Sequence, residues 1–478
     1  ELKALLAWPD AERTVSSEAL VQYLALNYLP AESCIFEGYR KLPAGSYLQG
    51  SIDCPYKAEP QEYWSLRINS DGEENNISAA ELDELEELLV DSVRIRLRSD
   101  VPIGVFLSGG IDSGLVAKLS GMASNGAPPL ALTVSFSDKD YDESSLAQMT
   151  AQMARLEHRL VHQRPSSLQD VDRIMWYFDE PFGDASALPT FALCEAAAQH
   201  ATVFLSGDGG DEAFGGYRRY IEAQHYQWLR NIPAVVRSAF RSSAAFLPSY
   251  ASSRYRLTKS MLPDDGFAAA FDGIPSDPVL RRILHPSLKG YSRCAGKNFW
   301  RRWSTTQGSD TLTRQRQLDY DLYLPDDILV KVDRASMAHS IEVRSPFLDY
   351  RIVEWAARLS RNKLINSREG KLPLRRLADR LLPKEVCAAA KRGFGVPLDS
   401  WFRDPEGAAF VKERLISPEA AQRGWWDIRE VEKIIGLHVA GSSRQFDGWL
   451  WRLLVLDAWA RHYVGGTKFL EGAPLAKA

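Results

Sequence analysis

The chain has 478 residues, 45% of them hydrophobic and 25% charged, which is the make-up of a soluble globular protein long enough for more than one structural unit. Its 58 basic and 62 acidic residues leave a formal charge of −4, so no global basic field recommends nucleic acid as a partner. Five scattered cysteines, Cys34, Cys54, Cys194, Cys294 and Cys387, form no Cys-x-x-Cys pair. That spacing argues against a zinc site or a disulfide framework and, with no signal-peptide pattern at the start, predicts reduced thiols in the cytoplasm.

In chain order, Ser17 to Tyr28 reads as a helix, and Gly38, Pro43 and Gly45 suit short strands and turns. The polar run Asn69 to Asn76 reads as a linker. Ser78-Ala79-Ala80-Glu81 has the form of a capping box, and Leu82, Leu85, Leu88, Leu89 and Val93 then fall on one helical face. From Val101 to about Phe214 the pattern alternates: strand Ile103 to Leu107, helix Ser113 to Leu119, strand Leu130 to Phe136, helix Ser144 to Leu156, helix Leu188 to Gln199, strand Thr202 to Leu205. Such alternation predicts an α/β fold, a doubly wound and mostly parallel sheet with helices on both faces. The remainder is helix-rich. Its longest apolar run, Trp449 to Ala460, is too short to cross a bilayer and reads as a buried helix packed by tryptophans.

Two turns carry the chemistry. Val105-Phe106-Leu107 runs into Ser108-Gly109-Gly110-Ile111-Asp112-Ser113, where glycines allow close approach of an anion, two serines add donors and a helix presents its positive end. Asp112 would repel a phosphate, so its expected task is to hold the magnesium ion that bridges phosphate oxygens. No Gly-Lys-Ser or Gly-Lys-Thr follows, so this is not a Walker loop. The second turn, Ser206-Gly207-Asp208-Gly209-Gly210-Asp211-Glu212, gathers acids whose mutual repulsion calls for a cation or a reacting phosphate complex.

The first turn resembles the Ser-Gly-Gly-x-Asp-Ser pyrophosphate loop of ATP pyrophosphatases. With the second turn, the sequence resembles the synthetase domain of the asparagine synthetase B family, which also includes β-lactam synthetases and lasso-peptide cyclases. The resemblance extends through Asp179-Glu180-Pro181-Phe182-Gly183-Asp184, Leu324 to Met337, Glu342 to Asp349, Gly370-Lys371-Leu372-Pro373-Leu374-Arg375 and Lys391-Arg392-Gly393-Phe394. Near the start, Lys41-Leu42-Pro43-Ala44-Gly45 resembles the segment that closes the family's glutaminase domain.

The resemblance implies a sheet of the ATP pyrophosphatase type, adenine nucleotide α-hydrolase-like, with a helix-rich C-terminal part. It implies the tail of a glutaminase domain over residues 1–66, a linker over 67–80 and an ATP-dependent synthetase domain over 81–478. Residues Leu107, Ser108, Gly109, Gly110, Asp112, Ser113, Val134, Ser206 and Gly207 are expected to bind ATP. Asp112 and Asp211 are expected to hold Mg2+, and Lys371 and Asp208 to be catalytic. Lys331, Asp333, Arg334, Arg344 and Asp349 suit either a site or a structural ion-pair network. The implied reaction is adenylation of aspartate followed by amide formation with ammonia, or with glutamine as nitrogen source, in the cytoplasm, without nucleic acid or membrane and with homodimerisation left open.

Two departures qualify this. The chain begins with Glu1 rather than the family's nucleophilic cysteine, which implies a fragment, or a protein that uses free ammonia or a partner. Asp208 stands where many asparagine-forming members carry Glu, which keeps open another acceptor carboxylate such as a uronic acid, a peptide or a β-amino acid. A non-catalytic scaffold and an RNA-modifying pyrophosphatase are the remaining alternatives.

Overall fold

The structure is a computed structural model; it describes residues 1–478 except 54–57, 69–75, 125, 137–142, 164–165, 226–231, 234, 238, 240–277, 307–309, 390–394, 442–445 and 465–478. Cys54, Lys391-Arg392-Gly393-Phe394 and residues 69–75 of the expected linker over 67–80 lie outside the described residues. A small antiparallel pair, β1 (Ser46–Leu48) and β2 (Pro60–Glu62), stands apart from the main sheet. That sheet contains β3 (Ile103–Phe106), β4 (Leu130–Phe136), β5 (His158–Gln163), β6 (Val203–Leu205) and β7 (Glu342–Arg344) in the order β5-β4-β3-β6-β7. Each neighbouring pair is parallel. From β3 the chain winds outward through β4 and β5, then returns to lay β6 against the other side of β3. The order therefore reverses between β3 and β6, where an open parallel sheet forms its ligand crevice.

Helices form where their ends are satisfied. The helix α1 (Ser17–Leu26) starts on Ser16, whose side chain accepts from Ala19 N–H. The helix α2 (Ala79–Arg96) starts on the expected capping box, with Ser78 and Glu81 bonded reciprocally. Leu82, Leu85, Leu89 and Val93 are buried, and Leu88 packs partly buried beside them. Between β3 and β6 run α3 (Ile111–Ala123), α4 (Ser144–Ala154), α5 (Asp170–Phe178) and α6 (Ala187–Ala197). The expected strands and helices of this region are present, with ends shifted by a few residues.

One core lies on each face of the sheet. Val105, Leu107, Ala131 and Leu205 pack with α2, α3 and α4 on one side, while Leu132 and Phe204 pack with α5 and α6 on the other. Gly104 makes room for this: a Cβ there would overlap the ring of Phe204, which stacks on Phe106 at 4.5 Å between centroids. The second core takes in Ala19, Leu20, Val21, Tyr23 and Leu24 of α1 together with the long C-terminal helix Asp447–Tyr463. That helix is the expected tryptophan-packed buried one. The indoles of Trp451 and Trp459 donate to the carbonyls of Gly183 and Asp179 at 2.9 and 2.7 Å. Its fully buried Asp457 is held by Arg414, Arg423 and Arg461. Among the described residues no helix is long and apolar enough to cross a membrane, and the described cysteines are free thiols.

The sequence reading did not find β5 or β7. Both are edge strands, β5 read as His-Arg-Leu-Val-His-Gln and β7 as Glu-Val-Arg, and polar edges lack the apolar alternation that marks a half-buried strand.

The five residues left between site and ion network are all paired. Arg334 meets Asp333 and Glu1, Lys331 meets Asp184, and Arg344 meets Glu342 and the carbonyls of Arg96 and Arg98. Asp349 accepts from Arg351 and Arg96 at 2.9 and 3.0 Å and caps the next helix through Arg351 N–H. The hydrogen bonds from Arg351 and Arg96 hold its carboxyl well below the usual carboxylate range. A depressed folded value contributes stability above the unfolded value of about 3.9 and loses it as pH falls toward the folded one. Asp349→Asn is therefore expected to lower the thermal midpoint at pH 7, and the gap to the wild type is expected to close as melting is repeated at progressively lower pH below about 4.

Candidate active site

The first loop leaves β3 through Leu107, which is buried and donates its N–H to Leu132 O at 2.9 Å. The turn then closes on itself. Ser108 N–H donates to Ser113 Oγ at 3.1 Å, Gly110 N–H to Ser108 Oγ at 3.2 Å, and the two hydroxyls lie 2.9 Å apart. Gly109 N–H donates to Glu143 Oε2 at 3.0 Å. The amides that the sequence reading aims at an anion are thus satisfied internally. Glu143, which precedes α4, was missed, because nothing in its neighbourhood in the sequence distinguishes it from a surface acid.

The second loop leaves β6 through Ser206, whose N–H donates to Arg344 O at 2.9 Å and so ties the loop to β7. The Ser206 hydroxyl donates to Asp208 Oδ2 at 2.8 Å and lies 3.0 Å from the hydroxyl of Ser345. Gly209, at φ +88°, turns the chain into the short helix Gly210–Phe214, which carries Asp211. The two loops press together where glycine permits it. A Cβ on Gly207 would lie 3.0 Å from Asp112 Cβ and Ser113 N, and one on Gly210 would lie 3.2 Å from Asp112 Oδ1.

Lys371 comes from the far end of the chain and closes the site. Its ammonium lies 2.5 Å from Asp112 Oδ2 and 2.9 Å from Asp211 Oδ1, and its side chain is 5% exposed. Lys371 precedes the helix Leu372–Leu381 with φ +57°, a left-handed conformation that costs a non-glycine residue about 1 kcal/mol. Gly370 allows this by lying against the Gly215 carbonyl, which a Cβ would overlap, while Lys371 N–H donates to Phe214 O at 3.2 Å. Burial alone would favour loss of the proton, but Asp112 and Asp211 together hold it on.

Around this centre, burial raises the Asp208 carboxyl, and Asp112 and Asp211 push the same way while the Ser206 hydroxyl and Lys331 oppose them. Glu212 is pushed up to about 7 by burial and by Asp211, and it accepts a short hydrogen bond from Tyr217. The structure therefore gathers Ser108, Gly109, Gly110, Asp112, Ser113, Ser206, Gly207, Asp208, Asp211 and Lys371 around one crevice. Leu107 lies at the end of β3, and Val134 is half-buried on β4, one strand away.

Residues 84–461 match the asparagine synthase family. The chain belongs to that family. A Mycobacterium bovis protein provisionally named asparagine synthetase (glutamine-hydrolyzing) is 29% identical over 463 residues, covering 94% of this chain and 68% of its own length. Asparagine synthetase (glutamine-hydrolyzing) 1 of Bacillus subtilis is 29% identical over 413 residues, 84% of this chain and 62% of its own. Amidase chry2 of Gibberella zeae is 27% identical over 413 residues, 77% of this chain and 60% of its own. The chain thus spans 60 to 68% of the length of these relatives. Family membership makes it a ligase that uses ATP.

Magnesium usually takes one or two carboxylates together with phosphate oxygens, so a protein site for it need not be a cage. Among the described residues no group of three or more His, Cys, Asp or Glu is gathered for a metal. Asp112 Oδ1 is nevertheless buried with no hydrogen-bond partner among the described residues, a hard oxygen of the kind that magnesium prefers.

Gly216 tests how tightly the crevice is built, because a Cβ there would overlap both Asp211 Oδ1 and Lys371 Cε. Gly216→Ala is expected to lower ATP-dependent turnover about a hundredfold. A shift in the melting temperature without loss of turnover would show that the lysine and carboxylate need not be held so closely.

Proposed function

We propose that this chain activates the side-chain carboxylate of aspartate by adenylation with ATP and converts the β-aspartyl-AMP to asparagine, AMP and pyrophosphate, with nitrogen from ammonia or from glutamine. The observation that carries this is the buried ammonium of Lys371 between Asp112 and Asp211, at the switch point of a parallel sheet. Such chemistry asks for phosphate positioning and charge neutralisation more than for a strong base.

In this reading the first loop, Ser108 to Ser113, binds the β and γ phosphates by exchanging its internal hydrogen bonds for phosphate oxygens. Leu107 and Val134 line the adenine, with Ser206 and Gly207 at the neighbouring strand end. Asp112 and Asp211 would hold Mg2+, which neutralises phosphate charge when bound. Lys371 stabilises charge on the phosphates as pyrophosphate departs, and its raised proton affinity keeps it cationic for that task. Asp208, whose proton affinity is raised by burial, orients the nitrogen nucleophile and, in its ionised form, accepts a proton from it. Residues 1–66 are the tail of a glutaminase domain that would deliver ammonia, 67–80 a linker, and 81–478 the synthetase. The expected setting is the cytoplasm.

A second reading, favoured by Asp208 and by the similarity to a fungal amidase, keeps the adenylation machinery and changes the acceptor carboxylate. Exchange of labelled pyrophosphate into ATP separates the two. It is expected to require aspartate and magnesium and to fall by at least about a hundredfold in Asp112→Ala and in Lys371→Ala. Exchange indifferent to aspartate, with ATP still bound, would assign the site to another acid.

A further inference from the structure

Glu143 stands immediately before α4 and accepts the N–H of Gly109 at 3.0 Å through Oε2. Its place is fixed by the helix behind it. Ala147 N–H donates to Glu143 O at 3.1 Å, and Ala147 and Ala151 are buried together with Leu115 and Leu119 of α3. Packed in this way, α4 comes so near the first loop that a Cβ on Gly109 would lie 2.9 Å from Glu143 Cβ and 3.2 Å from Leu146 Cβ. The carboxylate is therefore carried to the loop by a packed element.

The three amides of the loop differ in what holds them. Ser108 N–H and Gly110 N–H meet serine hydroxyls, and a hydroxyl can turn to donate to a phosphate oxygen once the anion arrives. A carboxylate only accepts, so Glu143 offers a phosphate nothing but repulsion. Its charge is also uncompensated. Asp112 and Asp211 share the ammonium of Lys371, whereas among the described residues no ammonium or guanidinium pairs with Glu143. Magnesium bridging phosphate oxygens cancels part of the charge of a polyphosphate and with it part of this repulsion. A metal-free polyphosphate meets all of it.

We propose that Glu143 is a specificity residue of the phosphate loop, which admits a polyphosphate arriving as its magnesium complex and disfavours the metal-free anion. The inference rests on the phosphate-binding role of the first loop and not on the identity of the acceptor acid. Glu143 acts through the charge it places beside Gly109, without touching the reacting atoms. Nucleotide that lacks the ion needed to neutralise a departing pyrophosphate is thereby kept from occupying the site unproductively.

Calorimetric titration with ATP, in excess magnesium and in EDTA, tests this on the wild type, Glu143→Gln and Glu143→Ala. Glutamine keeps the size and an oxygen that can accept from Gly109 N–H, so it removes the charge alone; alanine removes the hydrogen bond as well. Glu143→Gln is expected to tighten metal-free ATP about tenfold and the magnesium complex no more than about twofold, so that the preference for the complex shrinks about fivefold. Glu143→Ala is expected to shrink it by a similar factor, and both variants are expected to keep the wild-type melting temperature. A preference unchanged in both variants overturns the proposal. So does weaker binding of the magnesium complex in Glu143→Gln, which would make Glu143 a ligand of the metal. A change confined to Glu143→Ala overturns it too, since the hydrogen bond and not the charge would then be the agent. Aspartate-dependent exchange of pyrophosphate into ATP is measured on the same preparations. Its absence while ATP still binds counts against aspartate as the acceptor, and the titrations still decide the role of Glu143. ATP bound by none of the three proteins in either condition overturns the phosphate role of the loop and this inference together.

Discussion

Three segments distant in the chain, with Lys371 259 residues beyond Asp112, are joined by one ion triad in which the buried ammonium of Lys371 lies between the half-buried carboxylates of Asp112 and Asp211. Removing Lys371 would leave two half-buried carboxylates facing one another without their cation, so the two glycine loops and the Lys371 turn hold their places together. Gly207, Gly210 and Gly216 are where this closeness is made possible, each by the absence of a side chain that would lie against an aspartate. The left-handed backbone at Lys371 has the same origin: conformational strain is accepted where it aims one ammonium at two carboxylates.

Much of this was legible in the sequence because the signals were local. Apolar strands running into glycine and acid located both loops, and Ser78 with Glu81 marked the start of α2. The contacts across the chain were not legible in the same way. Glu143 holds Gly109 N–H from a stretch with no pattern of its own, and β5 and β7 are too polar at the sheet edges to show a strand period. The lysine itself was identified only through the resemblance of Gly370-Lys371-Leu372-Pro373 to a family motif, since a lone lysine is normally a surface residue. Its burial between two acids is a property of the fold that no window of sequence contains.

The first 36 residues have no core of their own. Leu20, Val21, Tyr23 and Leu24 share one apolar cluster with Trp451, Leu454 and Trp459, and the Tyr23 hydroxyl donates to Arg452 O at 2.9 Å. The beginning and the end of the chain thus pack as one layer on the sheet face opposite α2, and that layer forms two walls of a cavity of about 310 Å³ lined by Asn27, Asp184 and Trp451. Asn27 and Tyr28, just beyond α1, line that cavity.

The self-closed first loop has a kinetic meaning. Ser108, Gly109 and Gly110 each donate their N–H to a partner within the protein, and each such bond must be broken before the same donor can reach a phosphate. The net gain per donor is then the difference between two hydrogen bonds rather than the whole of one. Glu143 adds a negative charge that competes for the same amide. A loop arranged in this way is held in place by its own hydrogen bonds, and under the proposed function it would grip pyrophosphate lightly and let it go readily.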